Sequence, residues 1–429
     1  FDKKYLNIPK EIITITMQHH QRYFPTFDKK DSLTNNFFIV ADSLDPKNFI
    51  KIGNERVIDA RLNDAEFFWN KNKSQNLVKQ ISKLKNINYF KGLGSYYDKV
   101  QRIRKLSGLI SDELLISKEK IEIASSICKV DLLSDLVGEF PELQGVLGGY
   151  FAEAQGFEKE VCTAVSEHYL PTGLESKIPK KPYSIALSLS DKLDSLVGFF
   201  GLDLKPSSSK DPYALRRCAL GVVRILIENR LKIDLNRLLE ETCHNFPSIN
   251  SEICSSIYDF ILERLRGYLK GMGFMVDEIE AVITKKPSSF DTIIPILKSI
   301  ASFKALEEAA NLSAANKRIK NILRKNPLVN SKIKVEHFEH EAEFEINKII
   351  QELNPIIEPL IKNRNYEDAL GLLTKISHKL DTFFEKVMVM DKNKSKRENR
   401  LALLAALEAL MNRIVNLSEL QIAKIKQKN

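Results

Sequence analysis

Apolar residues at helical spacing dominate the sequence from about Tyr96 onward. The clearest series is Val100, Ile103, Leu106 and Ile110. Because side chains three and four positions apart share one face of an α-helix, this spacing predicts helices that pack against a core. The first 95 or so residues differ, since β-branched or aromatic runs at residues 12–17 and 37–41 predict strands, whereas residues 57–69 have helical spacing. The sequence therefore predicts a mainly α protein with a small α/β N-terminal segment.

The length of 429 residues predicts several domains. At roughly 150 residues per domain, about two to four cores are expected. Changes of pattern divide the chain into a mixed α/β segment (1–95), a helical domain (96–275), a helical linker or tail (276–330) and a last helical domain (331–429). The sequence starts at Phe1 without a basic and apolar leader, so we interpret residues 1–95 as the end of a truncated N-terminal domain.

The net charge is +9, from 65 Lys and Arg against 56 Asp and Glu. This excess suits a polyanionic partner such as a nucleic acid, although it is modest for the chain length and a solvated basic surface is the default explanation. The five cysteines form no CxxC pair, and the seven histidines show no zinc-site spacing, which fits a cytoplasmic, reducing environment. No apolar run approaches the roughly 20 residues needed to cross a bilayer, so no membrane association is expected.

Motifs for common catalytic sites are absent from the sequence. We find no GxxxxGK[ST] phosphate loop, no GxSxG nucleophile motif and no HExxH metal motif. Gly92 and Gly94 stand as a lone pair, which is typical of a turn. We therefore expect no catalytic residue in this chain.

An acidic cluster is the most enzyme-like feature. Lys129, Asp131 and Asp135 fall on one predicted helix, within a helical pattern over residues 118–136, and Asp191, Lys192 and Asp194 fall on another. Carboxylates facing inward from two helices can hold a hard cation such as magnesium. They can equally form buried Asp–Lys or Asp–Arg pairs that fix helix packing, which is the interpretation we favour. The candidate cations are Lys210, Arg216 and Arg217.

Two basic clusters are candidates for binding phosphate. One, at the start of a long predicted helix, contains Lys394, Lys396, Arg397 and Arg400. The other contains Lys317, Arg318, Lys320 and Arg324. Arginine side chains and the free N–H groups of a helix N-terminus both favour phosphate, although each cluster alone also fits a solvated charged face. Phe383 and Phe384 could stack bases, but they also fit a core.

The segment DPYALRR, residues 211–217, predicts a helix start. Asp211 has the chemistry of an N-cap residue, and Pro212 suits the first helical position.

Seven segments together resemble one family, in order and in spacing. They are residues 17–25 (MQHHQRYFP), 61–70 (RLNDAEFFWN), 128–145 (CKVDLLSDLVGEFPELQG), 190–201 (SDKLDSLVGFFG), 211–220 (DPYALRRCAL), 314–321 (AANKRIKN) and 383–391 (FFEKVMVMD). They resemble the bacterial glycyl-tRNA synthetase β-subunit family over essentially the whole chain. The resemblance implies a subunit that binds tRNA(Gly) in a heterotetramer of two α and two β subunits. It also implies that a separate α subunit uses ATP and magnesium to form the adenylate, so no cofactor and no metal are expected on this chain, and no DNA partner.

The resemblance also implies roles for particular residues. Residues 96–275 resemble a helical HD-type domain, with a structural or acceptor-end cluster at Lys129, Asp131, Asp191, Lys192, Asp194, Arg216 and Arg217. Residues 331–429 resemble a helical anticodon-binding domain. The implied tRNA-binding residues are Lys386, Lys396, Arg397, Asn399, Arg400, Lys317, Arg318 and Lys320. An HD-type metal-dependent phosphohydrolase is the alternative function, although Lys129 stands where a metal-binding HD domain would have histidine, which counts against it. A helical scaffold without an RNA role is a further alternative.

Overall fold

The computed structural model describes residues 1–208, 210–327 and 332–422, and helices account for most of them. The chain divides into two units. Unit 1 comprises Phe1–Ile225 and Asn236–Tyr258, and unit 2 comprises Leu226–Leu235 and Asp259–Asn429. The predicted mainly α, multidomain fold is confirmed. The fourfold division at residues 95, 275 and 330 stays a prediction. Among the described residues, no helix has the length and apolar content that crossing a bilayer would require.

The helices of unit 1 come first in the chain. They are α1 (Lys10–Ile15), α2 (Phe49–Lys73), α3 (Leu77–Gln80), α4 (Tyr96–Glu113), α5 (Lys118–Ile127), α6 (Asp135–Glu139), α7 (Val146–Ala154), α8 (Lys159–Glu167) and α9 (Pro182–Gly201). Three further helices have residues in both units, namely α10 (Leu215–Glu228), α11 (Leu235–His244) and α12 (Ile253–Gly271).

Unit 2 continues with seven helices among its described residues. They are α13 (Val276–Ile283), α14 (Ile293–Lys304), α15 (Ala309–Lys325), α16 (Glu341–Lys362), α17 (Tyr366–Leu372), α18 (Ser377–Lys386) and α19 (Lys394–Met411). Helix α16 packs on α17, α18 and α19, and α15 packs on α19 and on the short 3-10 helix Leu417–Glu419.

Two small antiparallel sheets lie in unit 1. One pairs β1 (Phe24–Phe27) with β2 (Leu33–Phe38), and the other pairs β3 (Asn88–Phe90) with β4 (Gly94–Ser95). The predicted strand at residues 37–41 therefore overlaps only the end of β2. The predicted turn at the glycine pair is present, since Gly92, between β3 and β4, and Gly94, the first residue of β4, have φ of 93° and 80°.

The strand prediction for residues 12–17 is wrong, because this segment is helical. It forms α1 followed by a π-helical turn, Thr16–His20. Pro9 precedes the first turn, and Ile12, Ile13 and Met17 are all fully buried, so Ile13 and Met17, four apart, share a face. Short β-branched runs do not separate a buried helix from a strand, and here packing decides. The predicted helix over residues 57–69 is confirmed within α2.

Helix α9 is the centre of unit 1. Its residues from Ser184 to Phe200 are buried, with the exception of the half-buried Ser195. It packs on α4, α5 and α8. Helices α7 and α8 also lie very close together, since a Cβ built on Gly149 would stand 2.9 Å from the Cys162 carbonyl oxygen. A helix buried on all sides brings its polar side chains into the core, and this places the site described next.

Candidate functional site

Charged side chains meet in the interior of unit 1. Lys129, Asp131, Asp191 and Asp194 are each at most 7% exposed. The helix predicted over residues 118–136 is broken here: α5 ends at Ile127, a 3-10 helix spans Val130–Leu133, and α6 begins at Asp135. The Ser134 hydroxyl starts α6 by accepting from the Val137 N–H at 3.1 Å. Asp131 and Asp135 therefore lie on different elements, and Asp135 is exposed, which corrects the single-helix prediction.

Two lysines and an arginine pair with the carboxylates of α9. Lys99 Nζ lies 3.1 Å from Asp191 Oδ1 and 2.9 Å from Asp194 Oδ2, and Lys129 Nζ lies 3.1 Å from Asp191 Oδ1. Arg102 Nε donates to Asp194 Oδ1 at 2.6 Å. The arrangement is a closed network in which ammonium and guanidinium groups occupy the space between the carboxylates. Such networks fix helix packing, since a buried charge is tolerated only when it is paired.

His168 completes this network. Its Nε2 lies 2.9 Å from Lys129 Nζ and its Nδ1 lies 2.6 Å from the Val165 carbonyl oxygen. Burial, reinforced by the Lys129 ammonium, holds the pKa of His168 well below its usual range. The neutral imidazole therefore donates from Nδ1 to Val165 and accepts from Lys129 at Nε2. The lone pair that a metal ion would need is already in use.

The pKa values of Asp191, Asp131 and Lys192 are shifted by their surroundings. Although burial opposes the charged form, Lys129 and Lys99 lower the pKa of Asp191. Burial raises the pKa of Asp131 to about 6, although its Oδ2 accepts the Gly145 N–H at 2.5 Å. Burial also lowers the pKa of Lys192 to about 8, and its Nζ donates to the carbonyl oxygens of Tyr169 and Leu170. Across the described part of the chain, no three His, Cys, Asp or Glu side chains are arranged to hold a metal ion.

Lys99, Arg102 and His168 were not predicted as members of this network. A signal for Lys99 was present, because Lys99 continues the apolar series of α4 at the spacing 99, 103, 106 and 110. A lysine at a core position of an amphipathic helix requires a buried acid. Its partners on α9 lie more than 90 residues further along the chain, and no local pattern identifies them.

The segment DPYALRR starts a helix differently from the prediction. The Asp211 carboxylate accepts from the N–H groups of Leu215 at 2.8 Å and Arg216 at 3.0 Å, so α10 begins at Leu215 and Pro212 lies in the preceding turn. The Arg216 guanidinium donates to the Lys210 and Ser207 carbonyl oxygens, and Arg217 is exposed. Within the described residues, neither arginine is an ion-pair partner of the α9 carboxylates.

In unit 2, Arg400 lies in the core. Its side chain is 2% exposed, and Nε donates to Glu343 Oε1 at 3.0 Å, on a side chain that is itself fully buried. Nη1 donates to Asp391 Oδ2 at 2.8 Å and to the Met388 carbonyl oxygen at 3.0 Å, while Nη2 reaches Glu339 at 3.2 Å. The guanidinium therefore joins the first turn of α16 to the segment before α19 and does not face solvent.

The other implied tRNA-binding residues on α18 and α19 have mixed environments. Asn399 is buried, with its side-chain amide paired to the backbone N–H and carbonyl of Lys334. Lys396 pairs with Glu339, and Arg397 Nη1 donates to the Asp391 carbonyl oxygen at 3.1 Å. Lys386, at the end of α18, is exposed. The structure thus separates Arg400 and Asn399, which are in the core, from the more accessible Lys386, Lys396 and Arg397.

Helix α15 presents an open basic surface. Lys317 and Arg318 are exposed, whereas Lys320 is held by Glu419 at 3.1 Å and Ser418 at 3.0 Å. A surface pocket of about 480 Å³ is lined by Ala314, Lys317, Arg318, Asn321, Ile322, Lys325, Asn326 and Met390. The Arg318 guanidinium lies 4.0 Å from the centre of the Phe384 ring, on α18. We call these eight lining residues the α15 pocket. It combines cations, amides and a methionine, which together suit a partner that is both charged and planar.

Comparison with known proteins first gives the class. A family model described as the DALR anticodon binding domain matches residues 312–424, which include α15 from Leu312 onward, helices α16 to α19 and all eight residues of the α15 pocket. The protein is therefore a helical multidomain protein with a DALR-type C-terminal domain. The model of the glycyl-tRNA synthetase beta subunit matches residues 1–284, which is most of the chain. The chain belongs to the glycyl-tRNA synthetase β-subunit family.

Its relatives carry the same description. The glycine–tRNA ligase beta subunit of Aromatoleum aromaticum is 39% identical over 425 residues, which are 98% of this chain and 61% of the relative. Those of Ralstonia nicotianae and Proteus mirabilis are each 36% identical, over 98% of this chain and 61% and 62% of the relative. The chain thus spans about three-fifths of the length of these relatives.

Proposed function

We propose that this chain is the tRNA-binding part of a glycine–tRNA ligase β subunit and that it positions tRNA(Gly) for ATP-dependent glycylation. The observation that carries the proposal is the open basic α15 pocket within a DALR-type domain. ATP and magnesium act on a separate α subunit, with which this subunit forms a heterotetramer in the cytoplasm.

The exposed cations make the first contribution to binding. Lys317, Arg318 and Lys325 attract RNA phosphates, and such contacts fix the position of a nucleic acid without reading its sequence. The same role is proposed for Lys386, at the end of α18, and for Lys396 and Arg397, in the first turn of α19. Arg400 and Asn399 act indirectly, since their buried hydrogen bonds hold the segments that carry these residues.

Recognition of bases needs planar and polar groups beside the cations. Unpaired RNA bases stack on aromatic rings and guanidinium planes and form hydrogen bonds through their edges. The Arg318–Phe384 pair supplies such a plane, and Asn321 and Asn326 line the same pocket with amides. Met390, 47% exposed, adds an adaptable apolar contact. We assign unpaired bases of the anticodon loop to this pocket.

Positioning explains how a binding subunit helps a distant reaction. Holding the tRNA so that its terminal ribose lies beside the activated amino acid makes the transfer effectively unimolecular. The interior of unit 1 contributes stiffness to this task, because its helices are joined by paired charges. The alternative of a metal-dependent phosphohydrolase is disfavoured, since Lys129 and the Val165 carbonyl oxygen use both nitrogens of His168.

A tRNA-binding experiment tests the proposal. The double variant Lys317→Ala/Arg318→Ala removes two exposed cations of the α15 pocket, and binding of tRNA(Gly) is measured by filter binding over a range of salt concentrations. Binding weakens as salt rises, and each lost phosphate contact makes the slope of log K against log salt less negative by roughly 0.7 to 0.9. The double variant should therefore have a slope that is shallower by about 1 to 2.

Lys298→Ala/Lys348→Ala is the matched control. It also removes two charges from exposed residues of helices in unit 2, but neither residue lines the α15 pocket. This control should bind tRNA(Gly) nearly as the unmodified chain does. Equal losses in both double variants would reduce the role of the pocket to general electrostatics, and an unmodified chain that binds no tRNA would overturn the proposed function.

A further inference from the structure

Two cysteines of unit 1 lie in contact with each other. In the sequence they are distant from the proposed RNA-binding residues. Cys243 is near the end of α11 and Cys254 is near the start of α12, and their sulfur atoms are 2.8 Å apart. Cys243 is 2% exposed, whereas Cys254 is half-buried. Among the described residues, no other pair of cysteine sulfurs is in contact.

We propose that Cys243 and Cys254 are a redox-modification site that closes reversibly to a disulfide when the cell is oxidised. A disulfide bond measures about 2.05 Å, so the two sulfur atoms need to approach by only roughly 0.8 Å. The two residues face each other across the connection between two helices, residues 245–252. Closing the bond therefore requires only a small movement of the two sulfur atoms toward each other.

The environment divides the two sulfurs into a nucleophile and a resolving thiol. Either sulfur can donate the hydrogen bond between them; with the Cys243 thiol as donor, the bond lowers the pKa of Cys254 and raises that of Cys243. The thiolate is the reactive form of cysteine, and the more accessible sulfur also has the lower pKa here. Cys254 is therefore the cysteine that reacts first with an oxidant, and Cys243 is the resolving thiol.

The reaction needs an oxidant, and a small-molecule disulfide such as oxidised glutathione supplies it. The Cys254 thiolate attacks one sulfur of the glutathione disulfide, whose S–S bond breaks and releases one glutathione thiolate. Cys243 then loses its proton and attacks Cys254 Sγ, forming the internal S–S bond and releasing the second glutathione as thiolate. Two protein thiols are oxidised and one glutathione disulfide is reduced to two glutathione molecules. Excess reduced glutathione reverses both steps.

The position of the pair connects it to the buried charges of unit 1. Phe246, in the connection between the two cysteines, lies under the Arg102 guanidinium, 4.3 Å from the ring centre. Arg102 in turn donates to Asp194 of α9. Ile249 of the same connection packs against Gly201, where an added Cβ would stand 2.2 Å from Ile249 Cδ1. A disulfide would link the two ends of the connection, residues 245–252, which packs on Arg102 of the buried charge network.

The experiment uses the full chain equilibrated with oxidised and reduced glutathione at several ratios, then blocked with N-ethylmaleimide. Cleavage after Glu241, Glu252 and Glu263 places Cys243 and Cys254 on separate peptides, so a disulfide joins them in mass spectrometry. We expect this linked pair to appear first as the glutathione becomes more oxidised, while titratable thiols fall from five to three. Amide hydrogen exchange of residues 245–252 should slow at the same ratios.

Two variants sharpen the result. Cys243→Ser should leave one glutathione attached to Cys254, because no resolving thiol remains. Cys162→Ser removes a cysteine elsewhere in unit 1 and should leave the linked pair unchanged. A wild-type chain that stops at a Cys254–glutathione adduct, links the pair only after unfolding, or oxidises neither cysteine before the other three would overturn the proposal. The peptide map of the wild-type chain decides this even if a variant fails to fold.

Discussion

Replacing Arg400 by alanine tests whether the first basic cluster is a structural core or an RNA contact. The change leaves the carboxylate of Glu343, which is fully buried, without its guanidinium partner. Removing one member of a buried ion pair costs about 3–5 kcal/mol, because the remaining charge stays desolvated. Glu339 and Asp391 are 43% and 26% exposed, so water replaces most of their lost contacts and the unpaired Glu343 carboxylate dominates the loss. We expect unit 2 to lose about 3–5 kcal/mol of stability.

Urea denaturation followed by two probes measures this loss. Trp69 is the single tryptophan and lies in unit 1, so its fluorescence reports that unit, whereas far-UV circular dichroism reports helices throughout the chain. The Arg400→Ala variant should lose much of its circular dichroism at lower urea, while the Trp69 transition stays in place. Arg397→Ala is the matched control, since within the described residues its guanidinium makes one hydrogen bond, to the Asp391 carbonyl oxygen, and its loss should cost only about 0.5–1.5 kcal/mol.

A double variant separates the loss of a partner from the loss of packing. Arg400→Met combined with Glu343→Gln replaces both charged groups by uncharged groups of similar size. Such replacements of a buried ion pair often change the free energy of unfolding very little. The double variant should recover most of the stability lost in Arg400→Ala. If Arg400→Ala instead unfolds within about 1 kcal/mol of the unmodified chain and weakens tRNA(Gly) binding, Arg400 is an RNA contact and the reasoning from its burial is refuted.

Two further predictions concern unit 1. Because the folded chain keeps His168 unprotonated, only the unfolded chain takes up this proton below pH 6.5, and stability is lost as pH falls. Relative to His168→Gln, the unmodified chain should lose up to about 1.4 kcal/mol of stability per pH unit, measured by urea denaturation between pH 6.5 and 5.5. Gly149→Ala, which brings a Cβ to 2.9 Å from a backbone oxygen, should lower the melting temperature by overpacking worth about 1–3 kcal/mol. Gly108→Ala, in open space within α4, should raise it slightly, and the opposite order would contradict the helix packing.

Helical periodicity predicts most of the fold because it needs only local sequence. It locates α2 and α4, whose buried residues recur three and four positions apart. It fails for residues 12–17, where a short β-branched run fits either structure, and for residues 118–136, where the apolar pattern continues across a break capped by Ser134. In both places tertiary packing decides between local alternatives that differ little in free energy.

The candidate site is less predictable, because its partners are far apart in the sequence. Asp191 and Asp194 share α9 as predicted, but Lys99 and Arg102 come from a helix more than 90 residues earlier. The burial of Arg400 did have a local signal. Arg400 precedes Leu403, Leu404 and Leu407 by three, four and seven positions, so it lies on the apolar face of α19. A cationic segment indicates binding only for those residues that fall outside the apolar stripe.

The buried network of unit 1 also constrains the order in which a newly made chain can fold. Lys99 and Lys129 are synthesised well before Asp191 and Asp194, the carboxylates that balance their charge. Burying an unpaired ammonium group costs several kcal/mol, so α4, α5 and α8 cannot close around these lysines until α9 has left the ribosome. A nascent chain that ends before Pro182 would keep both lysines hydrated, and consolidation of unit 1 during translation therefore waits for its most buried helix.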